Sequence, residues 1–463
     1  MLIDALPLLM FTGLAVFLFS GFPVAFVLGG LALGFGLIGM AAGVFEFVEF
    51  YNIVPRIWGG IAENLILVAI PMFILMGTLL ERSGVAAELL RSLDVLLRRV
   101  PGGLALAVTM MGTIMAATTG IIGASVVMMT VLALPAMLQA RYDAGLASGT
   151  VAAAGTLGIL IPPSIMLVVM AELLSKSVGT LFFAAFMPGL LLAGLYTLYV
   201  TGIAICKPAA APRRDSDQSY RIFRLIFVGL LPPTALICLV LGSILAGWAS
   251  PTEAAGVGAF GALLLALVLP RLTPSERGGK ERTPPRFGAL LTEALDRAAL
   301  TGGMLFAIFI GATAFSLVFQ VLGGDQMVEA LVEGTGFGAW GVLVLLMAIV
   351  FVLGFFLDWI EITLITLPIF VPIVELLDFG AHVAKPELLY WFAVLMAINL
   401  QTSFLTPPFG FALFYLKGAA PSSLPMETIW RGAVPFVALQ LVALALVAAF
   451  PDIALWLPRT YLN

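Results

Sequence analysis

Apolar runs about as long as a bilayer is thick follow one another along the chain, separated by short polar breaks. The first block, residues 5–45, exceeds one crossing, and Ser20-Gly21-Phe22-Pro23 predicts a turn between two spans. Glu46, Glu49, Pro55, Arg56 and Glu63 then mark a polar, partly amphipathic connection before a third span at 64–80. Over 81–100, Val85, Leu89, Leu90, Leu93, Leu96 and Leu97 recur at helical spacing opposite Glu88, Arg91, Asp94, Arg98 and Arg99. That pattern predicts an amphipathic helix, either along the membrane surface or packed on other protein. Block 104–139 is again too long for one span and centres on Thr118-Thr119-Gly120-Ile121-Ile122-Gly123-Ala124-Ser125. Block 144–169 is interrupted at 155–164 by a stretch containing Pro162-Pro163. Spans are predicted at 181–205, 225–245 and 254–269, with polar connections at 207–224 and 271–297. The C-terminal part repeats the order: a span at 298–322, an acidic connection (Asp325, Glu329, Glu333), a long block at 339–377 centred on 354–361, a run at 388–416 broken at Pro407-Pro408, and a last span at 433–450.

Composition turns this pattern into a class. Of 463 residues, 62% are apolar and 10% charged, and mean hydropathy is +1.14; soluble domains run near half and a quarter. The expected fold is an all-α polytopic membrane protein. A net charge of −4 gives no electrostatic case for nucleic acid. Two cysteines, Cys206 and Cys238, and one histidine, His382, build neither a disulfide framework nor a His-cluster metal centre. The run 6–19 lacks the basic flank of a signal peptide and reads as a retained span.

Loop charge gives an orientation. With Arg91/Arg98/Arg99, Arg141, 207–224, 271–297 and Lys417 inside, the acidic connections fall outside. The scheme closes with about ten crossings if 104–139 and 339–377 each enter and leave on one side, the first as a hairpin from inside, the second from outside; pairs of full crossings preserve the same parity. Leu134-Pro135 and Leu367-Pro368 sit at corresponding places in the two blocks. Pro162 follows 27 residues after Pro135 and Pro407 follows 39 after Pro368, the polar insertion 378–387 accounting for the difference. Matched elements starting on opposite sides form an inverted-topology repeat, a signature of secondary transporters.

Tandem prolines remove backbone donors and free carbonyls of the preceding turn. Irregular backbone at membrane depth is tolerated where it is buried or lines a polar cavity. Freed carbonyls with small hydroxyls suit Na⁺, and half-helix N-termini suit an anion. In the first half Thr118, Thr119, Gly120 and Gly123 are expected to face Gly155, Gly158, Ile161 and Pro163; in the second, Gly354 and Asp358 face Gln401, Thr402, Ser403, Thr406 and Phe409. Two readings stand for Asp358 and Glu361: a hairpin tip solvated near one surface, or carboxylates serving a cation or a proton. Asn399 and Gln401 read as tip-stabilising hydrogen-bonders, and His382 and Lys385 as members of a solvated loop.

At these motifs the chain resembles the large membrane subunit of tripartite ATP-independent periplasmic (TRAP) transporters. The resemblance is carried by Ser20-Gly21-Phe22-Pro23-Val24-Ala25, Pro71-Met72-Phe73-Ile74-Leu75-Met76-Gly77, the stretch 155–164, Ser250-Pro251-Thr252-Glu253-Ala254-Ala255, Phe356-Leu357-Asp358 and Leu405-Thr406-Pro407-Pro408-Phe409-Gly410. At the first hairpin tip, Thr119-Gly120-Ile121-Ile122 departs from the Ser-Gly-Ser-Ser of many members, which leaves Thr118, Thr119 and backbone carbonyls there. The resemblance implies an elevator-type secondary importer of the ion-transporter superfamily in the bacterial inner membrane, moving an organic acid, such as a 2-oxo or hydroxy acid, with Na⁺. It implies one Na⁺ site at Thr119, Gly158, Ile161 and Pro163, and another at Gly354, Ser403, Thr406 and Phe409. Substrate would lie near Thr118, Gly120, Gly123, Ser164, Asp358, Gln401 and Thr402. Expected partners are a periplasmic solute-binding protein and a small four-helix membrane subunit, expected as a separate chain because no further four-span block is legible in this one. The expected organisation is scaffold spans and a surface arm helix at 1–100, hairpin and broken helix at 101–180, scaffold at 181–322, arm, second hairpin and broken helix at 323–418, and a last span at 419–463. Against this stand a symporter working without a binding protein, a passive channel, and an intramembrane enzyme using Asp358 and Glu361.

Overall fold

The computed structural model describes residues 5–18, 20–119, 122–213, 222–272, 287–334 and 336–461, and among them every regular element is helical. Ten described helices are long and apolar enough to cross a membrane. They are not the ten expected from loop charge: they include Ile122–Gln139 and Trp359–Leu376, the second arms of the two hairpins, and leave out the shorter Leu6–Leu18 and Ala144–Ile159. The prolines shorten the broken helix, so length alone ranks a hairpin arm above it.

Two groups of helices pack against each other. One is a wall of Val24–Ala41, Leu65–Arg82, Leu231–Leu245, Pro251–Leu272 and Phe287–Val321. The other, the core group, holds both hairpins, both broken helices, Val178–Cys206 and Met426–Ala449. Within the core group, backbones touch. A Cβ on Gly149 would lie 2.0 Å from the Gly432 carbonyl oxygen, and one on Gly432 the same distance from that of Gly145. Helices in lipid gain little from hydrophobicity and associate through such small-residue contacts.

Two local expectations change and one open alternative is resolved. The helix predicted from 298 begins at Phe287, because Glu293 and Arg297, one turn apart, turn toward Arg82 and Glu81 of the wall. The amphipathic helix Val85–Leu97 buries Val85, Ala86, Leu89, Leu90 and Leu93 against Gly103–Thr119 and the turn Leu225–Leu230, so its apolar face is covered by protein. The insertion 378–387 is not simply a solvated loop. Lys385 Nζ donates to the carbonyls of Glu375 (2.6 Å) and Leu377 (2.7 Å), closing the end of Trp359–Leu376. His382 Nε2 lies 2.8 Å from the Ala448 carbonyl oxygen, and its ring contacts those of Trp340 and Trp391, which also contact each other. The basic connections at 214–221 and 273–286 lie outside the described residues.

Candidate transport site

Each half supplies a hairpin and a broken helix. The first hairpin joins Gly103–Thr119 to Ile122–Gln139; the second joins Ala339–Leu353 to Trp359–Leu376. The first broken helix runs Ala144–Thr156, then a tight turn and Pro162-Pro163, then Ile165–Leu173. The second runs Leu388–Leu405, then Pro407-Pro408, then Phe411–Ala419. Both diproline peptide bonds are cis. The packing is reciprocal: Ile122–Gln139 lies on Phe411–Ala419, and Trp359–Leu376 lies on Ile165–Leu173. Each hairpin thus lies on the trailing half-helix of the other repeat, as an inverted duplication requires.

The breaks follow from the prolines. In an unbroken helix the amides of residues 162 and 407 would bond to the carbonyls of Gly158 and Ser403, and proline has no amide proton. The loop at 160–164 is buried throughout. Ser164 sits at the start of Ile165–Leu173, yet its hydroxyl donates back to the Ile159 carbonyl at 2.6 Å and ties the loop across itself. In the second break the Thr406 amide donates to the Ser403 carbonyl at 3.2 Å, and the Thr406 hydroxyl to that of Thr402 at 2.8 Å. Hydroxyls that donate this way keep lone pairs for a cation.

The second set of expected Na⁺ residues comes together. Gly354 ends the outer hairpin arm directly against Ser403, where an added Cβ would fall 1.9 Å from Oγ. Thr406 follows on the break, and Phe409 packs its ring on Phe356 (5.4 Å between centroids). Phe409 is half-exposed, and because its phenyl ring carries no oxygen it has only its carbonyl to offer a cation as an oxygen ligand. In the first set, Gly158, Ile161 and Pro163 share the buried loop. Gly120 and the side chains of Thr118 and Thr119 lie outside the described residues. Gly123 stands so close to Tyr415 that a Cβ would lie 2.8 Å from its ring.

Asn399 and Gln401 bind elsewhere than at the hairpin tip. Asn399 Nδ2 donates to the Met347 carbonyl (2.7 Å), midway along the outer arm of the second hairpin. Gln401 Nε2 donates to Thr156 Oγ1 (3.2 Å), joining the two broken helices, while its fully buried Oε1 has no hydrogen-bond partner among the described residues. Thr402 returns its hydroxyl to the Ile398 carbonyl. Asp358 caps Trp359–Leu376, accepting from the Trp359 amide at 2.8 Å.

Asp358 also borders a cavity of about 330 Å³ between the core group and the wall, shared with Thr78, Glu81, Arg297, Thr301 and Tyr415. At the far end of the same wall helix, Asn64 Nδ2 donates to a carboxylate oxygen of Glu172, at the end of Ile165–Leu173. Sequence reading missed Thr156, Glu81, Arg297 and the Asn64–Glu172 contact. Arg297 reads as the last residue of a polar linker, and only tertiary packing turns it inward.

Two reciprocal hairpins and two mid-helix breaks are the architecture of membrane transporters built on inverted repeats. The model of one family, described as "Tripartite ATP-independent periplasmic transporter, DctM component", matches residues 11–453, and the chain belongs to that family. The C4-dicarboxylate TRAP transporter large permease protein DctM of Pseudomonas aeruginosa is 31% identical over 86% of this chain and 87% of its own length. The sialic acid TRAP transporter large permease protein SiaM of Vibrio cholerae is 28% identical, covering 96% and 97%. The ectoine TRAP transporter large permease protein TeaC of Halomonas elongata is 27% identical, covering 95% and 96%. A crystal structure of the Alcanivorax borkumensis YdaH transporter superposes with a TM-score of 0.56 at 13% identity, over 89% of this chain and 88% of that one, a likeness of fold. The chain is therefore a large permease subunit for solute import, a multi-pass protein of the bacterial inner membrane. Membership implies a small membrane subunit and a periplasmic binding protein as partners.

Proposed function

We propose that this permease imports a small organic acid, coupled to Na⁺, by sliding its core group along its wall in an elevator movement. The observation that carries the reading is the pair of diproline breaks, the first buried and the second partly exposed, each ending a helix where proline supplies no amide to the i−4 carbonyl, the two helices joined through Gln401 and Thr156. Backbone oxygens turned out of regular helix, buried at 160–164 and partly exposed at 406–409, are what a hard cation requires. The Na⁺ ligands would be Thr119, Gly158, Ile161 and Pro163 on one side and Gly354, Ser403, Thr406 and Phe409 on the other, largely through carbonyl oxygens. The solute would lie between the tips, near Thr118, Gly120, Gly123, Ser164, Asp358, Gln401 and Thr402.

The two ends of Leu65–Arg82 support a sliding movement. At Asn64 the wall is tied to the core group; at Glu81 a cavity separates them. The cavity lies at the basic end of the wall, with Arg82 and Arg297, the end that the positive-inside rule assigns to the cytoplasm. In the proposed cycle this arrangement would correspond to a releasing state. A test is uptake in proteoliposomes holding the chain, its small membrane subunit and its binding protein. Accumulation that needs an inward Na⁺ gradient is expected; accumulation indifferent to Na⁺ would overturn the coupling, and uptake by this chain alone would remove the binding protein from the scheme.

A further inference from the structure

Four residues of Phe287–Val321 line the cavity: Arg297, Leu300, Thr301 and Met304, at the i, i+3, i+4, i+7 spacing of one helix face. Arg297 meets Glu81 only loosely, at 3.8 Å, whereas the neighbouring pair Arg82–Glu293 closes to 2.7 Å. A guanidinium has five N–H donors, and a contact of 3.8 Å is beyond hydrogen-bond length, so Arg297 retains donors for a further acceptor. Across the cavity stand Asp358 and Tyr415 of the core group, with Ala124 beside them. Asp358 spends one carboxylate oxygen on the Trp359 amide and has acceptor capacity left.

We propose that this cavity is a bipolar solute site, in which Arg297 and Thr301 seat one carboxylate or sulfonate and Asp358 takes a hydroxyl or ammonium of the same molecule. The proposal rests on the reading of the chain as an organic-acid importer and names the class of acid. Two carboxylates, Glu81 and Asp358, and one guanidinium, that of Arg297, line the cavity. A second anionic group on the solute would therefore sit against Asp358 with no cation of the cavity to answer it. A hydroxy acid or an amino acid satisfies both walls; a dianion satisfies one. The cavity's volume is at the lower end of the range for small-molecule sites. As the core group slides, the solute's acid passes to a planar fork suited to carboxylates, and Glu81 is the group it displaces.

The polarity can be measured without knowing the solute. Cys206 and Cys238, both exposed, are first replaced by serine. Single cysteines are then placed at Thr301 and at Ala124. Labelling rates are compared for three methanethiosulfonates: the sulfonatoethyl anion, the trimethylammonioethyl cation and the neutral methyl reagent. Relative to the neutral reagent, the anion is expected to be favoured at Thr301→Cys and the cation at Ala124→Cys. Adding Arg297→Gln should lower the anion-to-cation ratio at Thr301→Cys by about fivefold or more, the effect of one unit charge a few ångström away in a partly hydrated site. Adding Asp358→Asn should remove the cation preference at Ala124→Cys. The same charge preference at both positions, a ratio at Thr301→Cys indifferent to Arg297→Gln, or a neutral reagent that reaches neither cysteine would each overturn the proposal. Na⁺-driven uptake is measured separately, so loss of polarity and loss of coupling are told apart.

Discussion

Gly354 and Ser403 touch so closely that a single methyl group does not fit between them: a Cβ on Gly354 would lie 1.9 Å from Ser403 Oγ and 2.6 Å from its Cβ. The outer arm of the second hairpin ends at Gly354, and Ser403 is four residues before Pro407. The missing side chain thus brings the end of one helix onto the turn that the diproline interrupts. Gly354→Ala should force the hairpin away from the break. The expected result is an apparent Na⁺ affinity lower by about tenfold or more, since displacements near 1 Å are enough for losses of that order at a preorganised site. A Na⁺ titration of uptake measures it, with the elution profile of the purified protein reporting the fold.

Thr406 separates a side-chain role from a backbone one. Its hydroxyl donates to the Thr402 carbonyl and keeps its lone pairs, while its backbone is already outside the helix. Thr406→Ala should lower apparent Na⁺ affinity about fivefold, the weight of one interaction of about 1 kcal/mol, and Thr406→Ser should restore it. An unchanged Na⁺ activation curve in the alanine variant would remove the hydroxyl from the site.

The bond from Gln401 to Thr156 is a contact across the repeat. Thr156→Val leaves a buried Gln401 amide without its acceptor, and Gln401→Leu leaves the Thr156 hydroxyl its own bond to the Ala153 carbonyl. The valine variant should therefore be the less stable, by about 1–3 kcal/mol. In the double variant part of that loss should return, because both polar groups have gone. Thermal unfolding in one detergent across the four proteins gives the coupling; strictly additive shifts would mean that the two groups do not interact.

How much of this was legible in the chain depends on the kind of signal. Both helix breaks could be read, because proline acts on its own turn: Pro162-Pro163 and Pro407-Pro408 interrupt helix wherever the surrounding chain packs. The hairpin tip at 354–358 was legible for a similar reason, since Asp358 is a strong helix-starting residue and caps Trp359. What could not be read was reach. Arg297 is a hydrophilic residue beside other hydrophilic residues until Phe287–Val321 turns it toward Glu81. Lys385 and His382 look solvated by composition, yet they find carbonyls at the ends of Trp359–Leu376 and Met426–Ala449. Thr156 stands out by nothing in its local pattern; its role comes from Gln401, whose helix lies beside it only in the folded chain.

The contact of Gly149 and Gly145 with Gly432 makes a prediction about assembly of the core group. Here two helices meet backbone to backbone, and any Cβ at Gly432 would have to enter the space of the Gly145 carbonyl. Helices Ala144–Thr156 and Met426–Ala449 would have to separate, undoing the packing that supports the first break. Gly432→Ala should therefore destabilise the protein by about 1–3 kcal/mol, and Gly432→Val by more, as overpacking of a close contact does. Gly194, in Val178–Cys206, is the control: nothing lies within 4 Å of its would-be Cβ. Gly194→Ala should leave stability unchanged or raise it by up to about 1 kcal/mol through helix propensity. Thermal unfolding in detergent distinguishes the two sites. If Gly432→Ala tolerates heat as well as Gly194→Ala does, the two helices are not held at backbone contact, and the first broken helix does not depend on Met426–Ala449 for its position.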